Sequence, residues 1–290
     1  HRHLIAPYVV CERAEDTDPH LLARQVLKNI REEGFDLPVV GKPDIGQRGA
    51  GVQPLYEKAD LVEYIESFPA NSKMMFQKLV EYKSEAAVLY YVFPGEDEGT
   101  ISSVTLKHFP HVTGDGKRTL EQLVRDDPRA SRIAHIYLER HTEHRERVLH
   151  EGEQFQLVFS GSHCQGAVFT DGTDVVTEKM KSAFGDITAG MDEFYYGRFD
   201  LRFSSLSELE RGEGFQIVEI NGAGGEPTHI WDADTPLWDA YGALFRQYRV
   251  LFRLGAINRR RGYKPIGPRR LLKDFRKFFF SIRPSYPKTS

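Results

Sequence analysis

The chain has 290 residues, of which 28% are charged and 40% hydrophobic, with a formal net charge of −3. This length is enough to bury a full core as one large domain or two small ones. No apolar run of about 18 residues is present, which excludes a transmembrane helix. The opening residues His1–Leu4 lack the apolar segment of a secretory signal. Cys11 and Cys164 allow at most one disulfide and no secreted framework, so we expect a reducing, cytoplasmic location.

Helices and strands alternate along the sequence. Pro19 and Gly34 are start and stop signals for the first helix, and Thr119 is a candidate cap for a later one. The predicted elements, in chain order, are a helix 19–33, a strand 37–43, a helix 58–67, strands 74–82, 85–93 and 100–109, helices 120–125 and 128–149, an extended run 155–169, a helix 178–192, a hairpin 197–221 and a helix 235–256. Because hairpins join most of the strands, the order favours an α+β fold over a doubly wound parallel sheet.

The positive charge is concentrated at the C-terminus. From Arg259 to Ser290 the chain has eleven Lys and Arg and one Asp, a net charge of +10 that leaves −13 on the rest. The tail mixes these cations with aromatic residues, a composition that suits an anionic membrane surface. It also suits a terminal helix packed on the body through Leu271, Leu272, Phe275 and Phe278, and the pattern favours this second interpretation. The acidic remainder repels phosphate, so we expect no nucleic-acid partner.

Two acidic residues and an amide lie on the predicted hairpin 197–221. Arg198, Asp200 and Arg202 alternate with apolar residues and therefore share one face of the first strand. Glu219 and Asn221 likewise share a face of the second strand. If the strands pair, three oxygen ligands lie beside two guanidinium groups. Oxygen ligands suit Mg²⁺ and arginines suit phosphate, so the hairpin indicates ATP chemistry.

A lysine and a glycine-rich loop follow the first predicted strand. Lys42 places a point charge at the strand end, and the loop Gly46–Val52 contains Gly46, Gly49 and Gly51. Glycines let backbone N–H groups approach an anion closely. The loop fits neither the P-loop pattern nor the dinucleotide pattern, so an ordinary strand–turn connection stays open as the alternative.

The order of these residues along the chain is more specific than any one motif. Its parts are Gly41-Lys42-Pro43, Gly46–Val52, Gln77–Glu85, Gly114-Asp115-Gly116 with Thr119, Gly197-Arg198-Phe199-Asp200 and Glu219-Ile220-Asn221. Together, over about residues 38–232, they resemble the ATP-grasp superfamily. The similarity is greatest to its branch of D-alanine–D-alanine ligases and cyanophycin synthetases, the carboxylate–amine ligases.

The resemblance implies an α+β ATP-grasp fold, in which two subdomains clamp ATP between antiparallel sheets. It implies four segments: a helical remnant or linker 1–34, a small subdomain 35–80 with a glycine-rich lid, a large subdomain 81–258 with the metal site, and the basic tail 259–290. Only about forty residues precede Lys42. We therefore expect the full N-terminal α/β domain that relatives usually carry to be absent.

The resemblance also implies the roles of the nucleotide-binding residues. Lys42 and Lys78 would contact phosphates, below a lid formed by Gly46, Gly49 and Gly51. Adenine would be held by the strand end and linker, namely Gln77, Lys78, Leu79 and Val80, with Gln77 at a place where glutamate is common. Glu85 would bind the ribose. Lys107 would lie near the γ-phosphate.

The same resemblance implies a metal and catalytic set. Asp200, Glu219 and Asn221 would bind one or two Mg²⁺, with Mn²⁺ as a substitute. Arg198 would steady an acyl phosphate, and Arg198 and Lys107 would be the catalytic residues.

Candidates for the substrate side lie in two loops. His163 and Gln165 belong to the loop 161–166, and Glu226 and His229 follow the metal hairpin. A tight turn and a polar loop are the plain alternatives. Cys164 beside His163 also allows a nucleophilic pair, although no oxyanion motif or third group accompanies it. After Asn221 the chain departs from the common Asn-x-x-Pro-Gly pattern, which leaves the substrate open.

The function expected from this resemblance is an ADP-forming ATP-dependent ligase. It would activate a carboxylate as an acyl phosphate and join it to an amine, or to a thiol. Two alternatives stay open: an ATP-grasp kinase that phosphorylates a small-molecule hydroxyl, and a nucleotide-binding module without turnover. The expected partners are a small carboxylate and an amine, with membrane contact through the tail and a homodimer left open.

Overall fold

The computed structural model of the chain describes residues 2–46 and 49–287. Helices and strands follow in the order β1 (Tyr8–Arg13), α1 (Pro19–Glu32), β2 (Val39–Pro43), β3 (Gln53–Leu55), α2 (Lys58–Ser67), β4 (Ser72–Lys78), β5 (Ser84–Tyr91), β6 (Thr100–His108), β7 (His111–Thr113), α3 (Leu120–Asp126), α4 (Ala134–Arg140), β8 (Gln154–Gln156), β9 (Val168–Asp171), α5 (Glu178–Ala189), β10 (Tyr196–Phe203), α6 (Leu206–Glu210), β11 (Phe215–Asn221), α7 (Leu237–Arg260) and α8 (Pro268–Lys277). The α+β class with antiparallel sheets is confirmed.

The first helix lies between its predicted signals Pro19 and Gly34, and the predicted cap Thr119 is present. The structure adds a cap at Asp18 that was not predicted. The Asp18 side chain accepts hydrogen bonds from the N–H groups at the start of α1, and Gly34, with φ of 82°, follows its end. The hydroxyl of Thr119 accepts from the N–H of Gln122, whose side chain accepts in return from the N–H of Thr119. These local signals fix helix ends whatever the tertiary partners are, which explains why the sequence predicts them closely.

The chain forms two compact units. One contains the first residues up to Ala6, Val80–His108 and Phe169–Phe275. We call it the metal-hairpin unit, because it includes β10 and β11, the strands on which the sequence predicts a metal site. The other contains Pro7–Leu79, Phe109–Val168 and the residues from Arg276 onward, and we call it the glycine-loop unit. The units therefore divide the chain differently from the predicted segments, since 109–168 packs with the glycine-loop unit.

The glycine-loop unit has a four-stranded antiparallel sheet in the order β1-β4-β2-β3. Helices α1 and α2 pack on it through a core that includes Val26, Ile30, Leu61 and Phe76, all fully buried. Strand β1 corrects the prediction of a helical remnant at 1–34, which holds only from Pro19 onward. β1 pairs with β4, about sixty residues later in the chain, and such a partner leaves no local signal.

The segment 109–168 of this unit has its own small core. Strands β7 and β8 pair antiparallel, and α3 and α4 pack beside them. Two predictions are wrong in part here. The helix predicted over 128–149 is α4 with short 3₁₀ turns on either side. The residues predicted to be extended over 155–169 do not form one strand. Strand β8 ends at Gln156, and the chain later passes through a turn at Gly166, which has φ of 103°.

The metal-hairpin unit has a five-stranded sheet in the order β11-β10-β5-β6-β9. One face packs on α5 through Met180, Phe184 and Ile187. Phe199 and Leu201 of β10 point into this core. Because side chains alternate along a strand, their neighbours on β10 point to the opposite face, where the polar residues lie.

The C-terminal helix forms as predicted, but three of the four residues predicted to pack on the body do not, and the fourth, Phe278, is half-buried. In α8, Leu271, Leu272 and Phe275 are 55%, 60% and 52% exposed, so these side chains do not dock in a core. Within the described residues, no helix is both long and apolar enough to cross a membrane. The thiols of Cys11 and Cys164 are free, and burial raises the pKa of Cys11 to about 12.

Phe184 provides a test of the core under the five-stranded sheet. Its ring is fully buried and contacts Phe199 and Phe215. We expect Phe184→Ala to lower the free energy of unfolding by about 3–5 kcal/mol in urea titrations, because a cavity replaces the ring. Leu21→Ala, at a side chain that is 60% exposed, is the control and should cost under about 0.5 kcal/mol. Equal losses in the two variants would contradict this core.

Candidate functional site

The two strands of the predicted hairpin pair as antiparallel neighbours. Arg198 lies opposite Asn221, and Asp200 lies opposite Glu219. The register then shifts by one residue between Asp200 and Leu201, so that Leu201 pairs with Ile217. The pairing brings the two carboxylates and the amide to neighbouring positions on one face of the sheet.

The register shift has a chemical consequence. In a regular strand, Ile217 and Glu219 would point to the same face. Because the bulge adds one residue at Val218, Ile217 is buried in the core while Glu219, opposite Asp200, lies on the polar face. A β-bulge redirects side chains in this way, and bulges are frequent beside active sites. Sequence alternation alone does not predict this change of face.

Asp200 is held between cations. It is 5% exposed, and its Oδ1 accepts from Arg198 Nε at 3.1 Å and lies 3.3 Å from Lys107 Nζ. Its Oδ2 accepts from Asn221 Nδ2 at 3.1 Å and from Arg198 Nη2 at 3.3 Å. Burial by itself raises the pKa of Asp200, but Lys107 and Arg198 outweigh it and hold that pKa below its ordinary value. The carboxylate is therefore ionised at neutral pH.

Lys107 reaches Asp200 across the sheet from β6. The intervening position on β5, opposite Asp200, is Ala87, whose short side chain leaves room for the lysine. Lys107 Nζ also donates to Glu85 Oε1 at 2.7 Å. Burial lowers the pKa of Lys107, but the charges of Asp200 and Glu85 raise it above its ordinary value. The lysine therefore stays cationic although it is 7% exposed.

Glu85 lies between two cations rather than at an open edge. Its other oxygen is 3.9 Å from Arg202 Nε, and it is 7% exposed. Arg202 in turn donates to the backbone carbonyl of Val80 at 3.3 Å. We call these five residues, Glu85, Lys107, Arg198, Asp200 and Arg202, the charged cluster. Its pairing of Glu85 with Lys107 was not predicted, and ribose binding by Glu85 stays a prediction.

Asp200, Glu219 and Asn221 fit a hard divalent cation. All three offer oxygen, the ligand atom that Mg²⁺ prefers. Glu219 is exposed and Asp200 is buried, so the three side chains run from the surface into the sheet. Each Asp200 oxygen already has two donors nearby, so a bound cation would replace at least one of them. Across residues 2–46 and 49–287, no cluster of three or more His, Cys, Asp or Glu side chains is placed to hold a metal. In the set Asp200, Glu219 and Asn221, an amide oxygen takes the place of the third such side chain.

The loop after β11 is fixed beside the charged cluster by contacts that the sequence did not predict. Tyr196 Oη and Gln247 Nε2 both donate to the carbonyl of Gly225, each at 2.8 Å. Arg198 Nη1 donates to the carbonyl of Glu226 at 3.3 Å. The guanidinium of Arg198 therefore links the Asp200 carboxylate to this loop.

Two predicted substrate residues, Glu226 and His229, belong to this loop. Glu226 Oε1 accepts from Trp231 Nε1 at 3.0 Å, and His229 Nδ1 lies 2.7 Å from Ser103 Oγ. Ser103 is on β6, four residues before Lys107, and so points to the same face of the sheet. Burial lowers the pKa of His229, which keeps its imidazole neutral at neutral pH. Both residues thus lie on the face that carries the charged cluster.

The glycine-loop unit carries the other predicted phosphate contact. Lys42 Nζ donates to Gln77 Oε1 at 2.8 Å, and Gln77 is 5% exposed. Gly49 has φ of 71°, and a Cβ there would lie 2.9 Å from Ser160 Oγ, so both conformation and space favour glycine. Gly51 has φ of 73°. Gly46 is described, whereas residues 47 and 48 of the same loop lie outside the described residues.

The predicted adenine segment already uses two of its backbone donors. The N–H of Lys78 donates to the carbonyl of Pro7 at 2.8 Å, and that of Leu79 donates to Pro38 at 3.2 Å. The Lys78 side chain is exposed. Adenine recognition by this segment stays a prediction, and other backbone groups would have to carry it.

The remaining predicted substrate residues, His163 and Gln165, lie in the glycine-loop unit. They form a 3₁₀ turn that ends at Gly166. His163 is exposed, and the Gln165 side chain lies outside the described part of the structure. The structure therefore places the four predicted substrate residues in two different units.

Neither a protein-family model nor a curated protein matches this sequence. Among solved structures, the chain is similar to a bifunctional glutathione synthetase from Pasteurella multocida, with a TM-score of 0.38 and 18% identity over 84% of this chain and 34% of that chain. It is also similar to D-alanine–D-alanine ligase from Bacillus anthracis, with a TM-score of 0.44 and 12% identity over 90% of this chain and 64% of that chain.

A structure of the same ligase complexed with ATP gives a TM-score of 0.43 and 11% identity, over 89% of this chain and 62% of that chain. The chain thus spans less than two thirds of each of these structures. A D-alanine–D-alanine ligase, from the group of enzymes that the sequence resembles, is thus among the structures similar to this chain. The roles of single residues stay predictions.

Removal of Lys107 tests the charged cluster. We expect Lys107→Met to lower the free energy of unfolding by about 3 kcal/mol or more at neutral pH, because two buried carboxylates lose their shared cation. The control is Lys181→Met, which breaks an exposed pair with Glu178 at the same 2.7 Å distance and should cost under about 1 kcal/mol. A loss no larger than that of the control would contradict the cluster.

The same variant has a predicted pH dependence. In the wild type the lowered pKa of Asp200 contributes stability above its ordinary value of 3.8, and this stability is lost as the pH falls through the folded-state pKa. In Lys107→Met the Asp200 carboxylate loses one of the cations that lower its pKa, so the pKa of Asp200 rises. The stability difference between the variant and the wild type should therefore narrow as the pH falls from 7 towards about 4.

Proposed function

We propose that this chain is an ATP-dependent ligase of the ATP-grasp type. It activates a carboxylate as an acyl phosphate and joins it to an amine, releasing ADP and phosphate. The observation that supports this proposal best is Asp200, buried between Lys107 and Arg198 and opposite Glu219 on a strand that also carries Asn221. Cations and oxygen ligands on one sheet face suit a phosphoryl group that accumulates negative charge.

The chemistry explains why such a face is needed. A carboxylate is a poor electrophile, because its oxygen is a poor leaving group. Transfer of the γ-phosphoryl group of ATP to that oxygen breaks the bond to ADP and makes an acyl phosphate. The amine then attacks the acyl carbon and loses a proton, and phosphate leaves. Each step brings several anionic oxygens together, and positioned cations lower the barrier.

The charged cluster supplies two of these cations in fixed positions. In the proposed reaction, Lys107 lies by the γ-phosphate and Arg198 by the acyl phosphate. Asp200 orients both side chains through the contacts described above, so that they need not reorganise during the reaction. Mg²⁺ bound to Asp200, Glu219 and Asn221 would supply further positive charge to the phosphate oxygens.

The residues beside the cluster are proposed to contact the substrates. Glu226 and His229 lie on the same sheet face, and a neutral His229 can accept or donate a hydrogen bond. In the glycine-loop unit, Lys42 is proposed to bind a phosphate, with Gln77 holding its ammonium group. The acid and the amine are to be identified by measuring ADP release over amino acids, peptides and small carboxylates, with and without Mg²⁺.

Product analysis distinguishes this proposal from its alternatives. The ligase releases ADP and, with hydroxylamine in place of the amine, forms a hydroxamate. A kinase of the same fold would give a stable phosphoester, and a binding module would give no ADP. Release of AMP and pyrophosphate would reject the acyl-phosphate scheme.

Glu219→Gln tests the metal ligands directly. The side chain is exposed and the change keeps its shape, so the fold should be unaffected. We expect the rate of ADP release to fall about a hundredfold or more, because one charged ligand of the cation is lost. Glu213→Gln, an exposed carboxylate between the same two strands, is the matched control and should keep wild-type activity. Full activity of Glu219→Gln would contradict the metal assignment.

Lys42→Met tests the phosphate contact of the glycine-loop unit. We expect the KM for ATP to rise about tenfold or more, because a charge-assisted hydrogen bond to phosphate is lost. Lys73→Met, at an exposed position on β4, controls for the loss of one positive charge in this unit. An unchanged KM in Lys42→Met would contradict phosphate binding by Lys42 and leave it a structural role.

A further inference from the structure

The long helix α7 has an exposed aromatic face. We call it the aromatic stripe. It consists of Trp238, Tyr241, Phe245, Tyr248 and Phe252, which are 81%, 47%, 73%, 56% and 76% exposed. Their spacing of three or four residues places them along one side of a helix. Isolated exposed aromatics are ordinary in soluble proteins, whereas a continuous stripe of five marks a surface that binds something apolar.

The opposite side of α7 packs against the rest of the fold. Ala243, Gln247 and Leu254 are buried, and Leu254 packs against Leu89 and Phe93 of the metal-hairpin unit. The helix is thus held by one side and presents the stripe on the other. The stripe is not needed for the core that positions the candidate site.

The charges beside the stripe indicate what it binds. At 100° per residue, Arg246, Arg249 and Arg253 all lie on one flank of the stripe. Arg253 also lies 3.8 Å from Glu96 and stacks on Phe93, so Arg246 and Arg249 carry the charge argument. The single acidic residue of α7 is Asp239, in its first turn. Two copies of α7 that paired along the stripe would therefore have few carboxylates to pair with their arginines. A negatively charged surface complements them.

The next helix repeats this pattern. In α8, Leu271, Leu272 and Phe275 are exposed on one side, and the cations fall mainly on the other: Arg269, Arg270, Lys273, Arg276 and Lys277. Helices with an apolar face and a cationic face lie in the interface of a bilayer. From Leu237 to Lys277 the sequence has twelve Lys and Arg and two Asp, a net charge of +10.

We propose that α7 and α8 bind the surface of an anionic phospholipid bilayer. The aromatic stripe and the leucines enter the interfacial region, where Trp and Tyr side chains are favoured. The arginines and lysines pair with lipid phosphates and carboxylates. This surface is separate from the charged cluster and does not depend on the proposed ligase activity.

Vesicle co-sedimentation of the whole chain measures the binding. One set of vesicles contains phosphatidylcholine alone, and the other an equal mixture of phosphatidylcholine and phosphatidylserine. We expect sedimentation with the mixed vesicles only, and its loss as the salt is raised from about 0.1 M to about 1 M, because the charges are screened. Absence of sedimentation with the mixed vesicles at low salt would overturn the proposal.

Two variants separate the charge contribution from the aromatic contribution. Arg269→Gln combined with Arg270→Gln and Lys273→Gln should weaken binding about fivefold for each charge removed. Phe245→Ser combined with Phe252→Ser should weaken it about tenfold or more. All of these positions are exposed, so thermal melting should match the wild type.

Matched controls use equally exposed positions elsewhere. Lys73, Lys117 and Arg132 changed to Gln remove the same charge, and Leu21 and Tyr56 changed to Ser remove apolar side chains that are 60% and 62% exposed. These controls should bind as the wild type does. Equal losses in the controls and in the helix variants would show non-specific attraction and overturn the proposal.

Tryptophan emission locates the contact. The chain has two tryptophans, so Trp231→Phe leaves Trp238 of the stripe as the sole reporter. Its emission should shift to shorter wavelength when mixed vesicles are added and should stay constant with phosphatidylcholine alone. Light scattering tests the alternative that a second copy of the chain covers the stripe. If the wild type is a dimer and the variant with Phe245→Ser and Phe252→Ser is a monomer, a second copy covers the stripe and the lipid assignment is overturned.

Discussion

The ionised carboxylate of Asp200, buried among Lys107, Arg198 and Asn221, is the interaction on which the candidate site depends. A buried charge is costly unless it is paired and hydrogen-bonded. Here the three polar partners of Asp200, namely Lys107, Arg198 and Asn221, are also groups that the proposed reaction uses. The same contacts therefore make the fold tolerate the charge and hold the cations in place.

The sheet makes this arrangement possible because its two faces differ along β10. Along β10, Phe199 and Leu201 enter the core over α5, while Arg198, Asp200 and Arg202 face the other way. The bulge between β10 and β11 then allows one strand to serve both faces. The first half of β11 fills the core with Phe215 and Ile217, and the second half of β11 presents Glu219 and Asn221 beside Asp200.

Local signals explain which parts of the structure the sequence predicts. The signals at Pro19, Gly34 and Thr119 and the alternation along β10 act over a few residues, so the helices, the hairpin and the α+β class follow from them. Features that depend on partners far away in the sequence do not follow from these local signals. β1 needs β4, the pairing of Glu85 with Lys107 needs the register of β5 and β6, and the support of Gly225 by Gln247 needs the docking of α7. The exposed face of α8 was predicted to pack because an amphipathic pattern shows that a face is apolar, without showing what covers it.

The central claim is that Asp200, Glu219 and Asn221 together hold a divalent cation on a triphosphate. A crystal grown with Mn²⁺ and a non-hydrolysable ATP analogue tests it most directly, because manganese is located by its anomalous scattering. We expect an anomalous peak within about 2.5 Å of oxygens from all three side chains. Manganese bound to the analogue, with none of these three side chains in its coordination shell, would contradict it.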